Sequence, residues 1–97
     1  MDKLTDMAWR VDDRESFLAF VQSLIEDKLL DEQEEAVSPS NPYGPGSRGW
    51  ENDGIAAFLE AAAAWMNDNS TNRNNEVFET ASWQLFAMFL LGGKYYE

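Results

Sequence analysis

From Ile55 onward, apolar residues recur at Phe58, Leu59, Ala62, Trp65 and Met66, the three-and-four spacing of one helix face. Immediately before them stands Trp50-Glu51-Asn52-Asp53, an aromatic residue followed by capping side chains. The pattern predicts a helix from about Asp53 to about Met66, capped by Asn52 or Asp53. Trp50 would fold back on it as a staple-like anchor, and Glu51 would favour the helix dipole. Ala61 to Ala64 keep helix propensity high and allow a close approach by another helix. This feature sets a local fold and names no activity.

The rest of the chain reads as helical too. Leu4 to Val11 form either a short helix or an extended arm, with Leu4, Met7, Ala8 and Val11 on one stripe. Asp12 or Asp13 then starts a long helix, Asp12 having Glu15 at capping-box spacing. Phe17, Leu18, Val21, Leu24, Ile25 and Leu29 carry that helix from about Asp13 to about Glu34. Asp31, Glu32, Glu34 and Glu35 crowd its C-terminal end, where the dipole prefers cations, so fraying is expected there. Residues 38–49 hold all three prolines and three of the six glycines and read as a long loop.

Asn67 to Asn75 break the periodicity. A last helix is expected from about Thr80 through Leu91. Between Ser82 and Gly92 only Gln84 is polar, which marks a central, buried element, and Gly92-Gly93 reads as its stop. No strand-like alternation and no internal repeat is visible. The expected architecture is one all-α domain over residues 1–97, a compact bundle of three main helices with a short N-terminal one if Leu4 to Val11 are helical. Its expected core is Phe17, Val21, Leu24, Phe58, Leu59, Trp65, Leu85, Met88 and Phe89.

Charge and missing residue types narrow the function classes. The chain of 97 residues has 18 acidic and 7 basic side chains, a net charge of -11. That balance disfavours nucleic acid and anionic membranes, whose phosphates need Lys and Arg, and suits a basic protein partner or simply solubility. With no Cys there is no disulfide and no thiolate, and with no His the commonest general base and metal ligand is missing. No catalytic residue, cofactor site or metal site is expected, and the protein is read as not an enzyme. Asp68, Ser70, Asn72, Asn74, Glu76 and Glu79 fall at the ligand positions of an EF-hand loop. Arg73 occupies the position that needs glycine and Asn75 the one that needs an apolar residue, so the match reads as coincidence. The opening residues lack the basic start and apolar run of a signal peptide, and Leu85 to Leu91 is too short to span a bilayer. Cytoplasm is the expected compartment.

A Phe17-Leu18-x-Phe20-Val21 helix, then Trp50-Glu51-Asn52, then Phe58-Leu59-Glu60-Ala61 leading to Trp65, then Trp83 and a closing Tyr96-Glu97 form a spaced aromatic pattern. From Phe17 to Glu97 the chain resembles a family of small bacterial proteins of unknown function, in which Trp-Glu-Asn is the signature. The resemblance implies a bacterial, cytoplasmic, all-α domain with no catalytic residue and no cofactor. In general character it is also similar to small acidic immunity proteins that neutralise basic toxins.

The functional expectation is therefore a non-catalytic acidic protein that docks a basic one, as an immunity or inhibitor factor. Asp27, Asp31, Glu32, Glu34 and Glu35 would steer association, with Tyr43 and Trp50 as aromatic anchors. Two alternatives stand beside it: a nucleic-acid mimic occupying a DNA-binding protein, and a self-associating domain whose last helix serves a homodimer. Trp50 divides the readings, since a structural anchor is buried and a hot spot is exposed.

Overall fold

In the computed structural model, which describes residues 3–37, 48–52, 54–72 and 78–96, the order is α1 (Lys3–Arg10), α2 (Arg14–Val37), α3 (Ile55–Asn72) and α4 (Trp83–Tyr95). No strand occurs among the described residues. The all-α expectation holds, and the segment from Leu4 resolves to a helix rather than an arm, ending at Arg10. None of the helices is long and apolar enough to cross a membrane. The expected Pro/Gly loop and Tyr43 within it fall almost wholly outside the described residues, which resume at Arg48.

The N-terminus of α2 is closed one residue later than Asp12/Glu15 spacing suggests. Asp13 Oδ1 accepts the Ser16 backbone N–H at 2.8 Å, and the Ser16 hydroxyl accepts the Asp13 N–H at 3.1 Å. This is a reciprocal capping box with serine as the returning side chain. The N–H bond from Ser16 holds the Asp13 carboxyl below the usual carboxylate range. α2 is helical through its acidic end, as far as Val37, where the sequence predicts fraying. Lys28 reaches Asp31 at 3.6 Å and Glu32 at 3.9 Å along the helix, and Arg48 crosses from the far side of the loop to Asp27 and Glu34. Opposite charge is supplied by tertiary structure where the last turn of α2 has none.

α3 also outruns its expected end, running through the asparagine-rich stretch to Asn72. There Asn69 Nδ2 donates to the Trp65 carbonyl at 2.7 Å and Ser70 Oγ to that of Asn67 at 3.0 Å. These bonds run along the helix and do not break it. Because Asp68 to Asn72 are helical, they cannot form the first half of an EF-hand loop. At the start of α3, Phe58 N–H bonds to the Gly54 carbonyl at 2.8 Å, which puts Gly54 at the N-cap position and not Asn52; Asp53, the other expected cap, lies outside the described residues.

α4 is the central element and packs against α1, α2 and α3, whereas α2 and α3 barely meet. Ser82 caps it, accepting the Leu85 N–H at 3.0 Å. Gln84, near its start, donates to the Trp9 carbonyl at 2.7 Å and so closes the end of α1. The expected core is shifted toward α1 and toward small residues. Leu4, Ala8, Val11, Phe20, Leu24, Trp50, Ala61, Ala62, Leu85 and Ala87 are buried. Phe17, Val21, Phe58, Trp65, Met88 and Phe89 are only half-buried, and Leu59 is 49% exposed.

Gly92 and Gly93 are not the stop of α4, which runs on to Tyr95; they are buried within it. A Cβ on Gly92 would lie 2.8 Å from Trp65 Cγ and 3.0 Å from its Cβ, and one on Gly93 2.8 Å from Phe58 Cε1. The two glycines let the α3 aromatics seat directly on the α4 backbone. Gly92→Ala must displace atoms close to the α3 backbone and is expected to cost about 3 kcal/mol. Gly93→Ala meets the far end of a ring that can shift, and about 1 kcal/mol is expected after the gain in helix propensity. Thermal unfolding of the two variants measures the difference; equal melting temperatures would refute this account of the contact.

Candidate functional site

The densest polar arrangement joins the C-terminal half of α2, residues 48–52 and the end of α4. Asp27, Asp31 and Glu34 recur at four and three residues along α2, one stripe of the helix. Gly49, at φ 85°, takes the left-handed conformation that glycine adopts freely, and it separates two residues that both turn toward this stripe. Arg48 gives its backbone N–H to Asp31 Oδ1 at 3.1 Å and its guanidinium to Asp27 Oδ1 at 3.2 Å and Glu34 Oε1 at 3.1 Å. Trp50 gives its indole N–H to Asp27 Oδ2 at 2.9 Å. From α4, Lys94 Nζ meets the same Oδ2 at 2.7 Å.

Asp27 is thus the hub, receiving three donors on two oxygens. Burial pushes its carboxyl toward the neutral form, but the bonds from Lys94, Trp50 and Arg48 together outweigh burial and hold it below the usual carboxylate range. Burial likewise opposes the charge on Arg48, and Glu34 and Asp27 more than restore it. Lys94 is 2% exposed, with its ammonium 5.4 Å from the Trp50 ring centre and 4.7 Å from that of Tyr95. Lys28 Nζ also lies 5.4 Å from the Trp50 ring centre, and Phe58 stacks on that ring at 6.1 Å. Trp50 itself is 7% exposed, so it is the buried anchor of the two readings.

The Trp50-Glu51-Asn52 triplet serves the end of α4 more than the start of α3. Trp50 ties α2 to α4 through Asp27 and Lys94. Glu51 N–H bonds to the Lys94 carbonyl at 2.9 Å. Asn52 Nδ2 donates to the carbonyls of Gly93 at 3.0 Å and Tyr96 at 2.7 Å, which the helix end leaves without intrahelical partners. A hydrogen bond from the Tyr96 hydroxyl to Asp68 fastens the same end to α3 and raises the Tyr96 pKa. Asn52→Ala should cost about 1–3 kcal/mol through the unpaired carbonyls. Asn52→Asp should cost more, since a carboxylate cannot donate and faces the negative end of a helix dipole. An N-cap would accept aspartate as readily as asparagine. Thermal unfolding in which the Asp variant matches the parent would therefore reject the C-terminal role.

Of the residues expected to meet a partner, Asp27, Asp31 and Trp50 are brought together, but they face inward and are engaged within the chain. Asp31 is 4% exposed. Glu34 is exposed yet bonded to Arg48, Glu32 is exposed beside Lys28, and Glu35 is half-buried. Tyr43 lies outside the described residues. The sequence reading passed over Lys28, Arg48 and Lys94, the three cations of the network. One signal was available: after Arg73, Lys94 is the only basic residue in the chain. A flanking cavity of about 540 Å³ is lined by Lys3, Ser23, Glu26, Asp27, Arg48 and Lys94 among others. Among the described residues no group of three or more carboxylates could hold a metal ion, and a guanidinium already bridges the α2 stripe.

The geometry defines a small all-α domain whose end is tied together by a partly buried ion network. Residues 13–97 match the profile of a family of unknown function, DUF7660, and the chain belongs to that family. No curated protein and no solved structure is significantly similar to it.

Proposed function

We propose that this chain is a non-catalytic acidic binding protein of the bacterial cytoplasm that docks a basic protein, acting as an immunity or inhibitor factor against a cationic toxin. The observation that carries the reading is where the cations go. Lys28, Arg48 and Lys94 are matched within the chain by Asp31, Asp27 and Glu34. Outside that balanced set, 15 acidic residues face 4 basic ones in the whole chain. A surface so biased attracts cationic partners from solution and loses that attraction in salt. A nucleic-acid mimic needs rows of available carboxylates, and the clearest row on α2 is instead bridged by Arg48.

Affinity capture from the native host, followed by titration of the purified partner, tests the reading. A partner of high pI is expected, with affinity falling steeply between low and high salt. Recovery of neutral partners alone, with binding indifferent to salt, would overturn it. A toxin encoded beside this gene, whose toxicity is relieved on co-expression, is the expected genetic counterpart.

A further inference from the structure

Because α2 and α3 both lean on α4 and barely touch each other, an apolar groove of about 450 Å³ opens between them. Ile25 and Leu29 form one wall and Ile55 and Leu59 the other, over a floor of Trp50 and Phe58. All four wall residues are exposed, Ile55 at 82%. Leu18 continues the α2 wall on the same stripe and is exposed as well. Large apolar side chains lined up along an open groove mark an interaction surface more often than scattered ones do.

We infer that this groove seats an amphipathic, Lys/Arg-bearing helix of the partner. The inference rests on the proposed basic partner and names where and how it docks. Each wall is about one and a half turns long, which suits two apolar anchors one turn apart on a helix. Among the described residues there is no sheet edge to which a strand could add. Charge selects the flanks of that helix. Glu32 lies one turn past Leu29 on α2 and Glu60 follows Leu59 on α3, both exposed. The cation lining the groove, Lys28, is matched by Asp31 and Glu32. A second copy of this chain would bring a net charge of -11 against -11, so charge complementarity favours a cationic helix over self-association.

The probe is a synthetic Leu/Lys amphipathic peptide of roughly 18 residues, long enough to be helical when bound. Its control is the same peptide with Glu in place of Lys. Calorimetric titration compares the parent, the double variant Leu29→Asn with Leu59→Asn, and Leu30→Asn, an exposed apolar position of α2 outside the groove. None of these substitutions changes the charge, and circular dichroism establishes that each variant stays folded. The Lys peptide is expected to bind parent and Leu30→Asn alike, and the double variant about tenfold or more weakly. The Glu peptide should not bind.

Equal affinity for parent and double variant, with steep salt dependence retained, overturns the groove and leaves the basic-partner reading standing. Failure of the Lys peptide to bind the parent also overturns the groove. Salt-insensitive binding without preference between the peptides overturns both. Sedimentation gives the remaining outcome: a parent dimer that the double variant dissociates would assign the groove to a second copy and reject the inference.

Discussion

Asp27→Ala is expected to be among the most damaging single substitutions in this protein, at about 3–5 kcal/mol. The reason lies less in the lost attraction than in what stays behind. Lys94, 2% exposed, would be left without its carboxylate partner, and the Trp50 indole N–H would lose its acceptor. Against a typical domain stability of about 5–15 kcal/mol, such a loss lowers the melting temperature by on the order of 15 °C or more. Removing the pair together should be far milder, because an ion pair replaced by apolar side chains of similar volume is often neutral. Asp27→Leu with Lys94→Met is therefore expected to melt above Asp27→Ala. A double variant less stable than the single one would show that the charges are not the reason.

The same carboxylate predicts a pH dependence. Its pKa is lowered in the fold, so the folded state binds fewer protons than the unfolded chain as the group titrates. Its contribution is complete above the ordinary Asp value of about 3.9 and is lost as pH falls through the lower folded value. Melting temperature measured from about pH 5 down to about pH 2 should fall less steeply in Asp27→Asn than in the parent. Parallel curves would remove Asp27 from the acid response.

Trp50→Ala should be comparably costly, at about 3–5 kcal/mol, because a buried ring is replaced by a cavity between α2, α3 and α4. Trp50→Phe separates packing from bonding. It keeps an aromatic ring against Phe58 but removes the N–H to Asp27, and about 1–3 kcal/mol is expected. Combined with Asp27→Ala, the effects should fall short of additive, since both changes act on one carboxylate. Thermal unfolding decides this case too; a Trp50→Ala protein that melts like the parent would mean that the ring does not hold these helices together.

How much of this was legible before the structure depended on how local each determinant is. The Phe17-to-Leu29 and Ile55-to-Met66 periodicities announce α2 and α3 because a helix repeats every few residues and leaves its pattern in the adjacent sequence. The burial of Trp50 was legible too, as an aromatic residue just ahead of a helix. Helix ends were less so. The acidic tail of α2 reads as frayed only while Arg48 is out of view, and the asparagines of α3 read as a break only until their side chains are seen to bond within the helix.

The candidate site was the least legible part. The spacing of Asp27, Asp31 and Glu34 is a property of one helix, but Arg48 is 21 residues from Asp27 and Lys94 is 67 residues from it. Nothing local says that those charges meet. Gly92-Gly93 shows the same division, being a stop signal by composition and a close-packing surface once Trp65 and Phe58 lie across it. Sequence by itself determined that the chain is helical, acidic and built around an apolar last helix, because those properties add up residue by residue. Only the tertiary structure decided which charges are matched inside, where Asn52 sends its amide and which apolar residues are left facing solvent. Those depend on burial and distance between segments far apart in the chain, and no window of neighbouring residues encodes them.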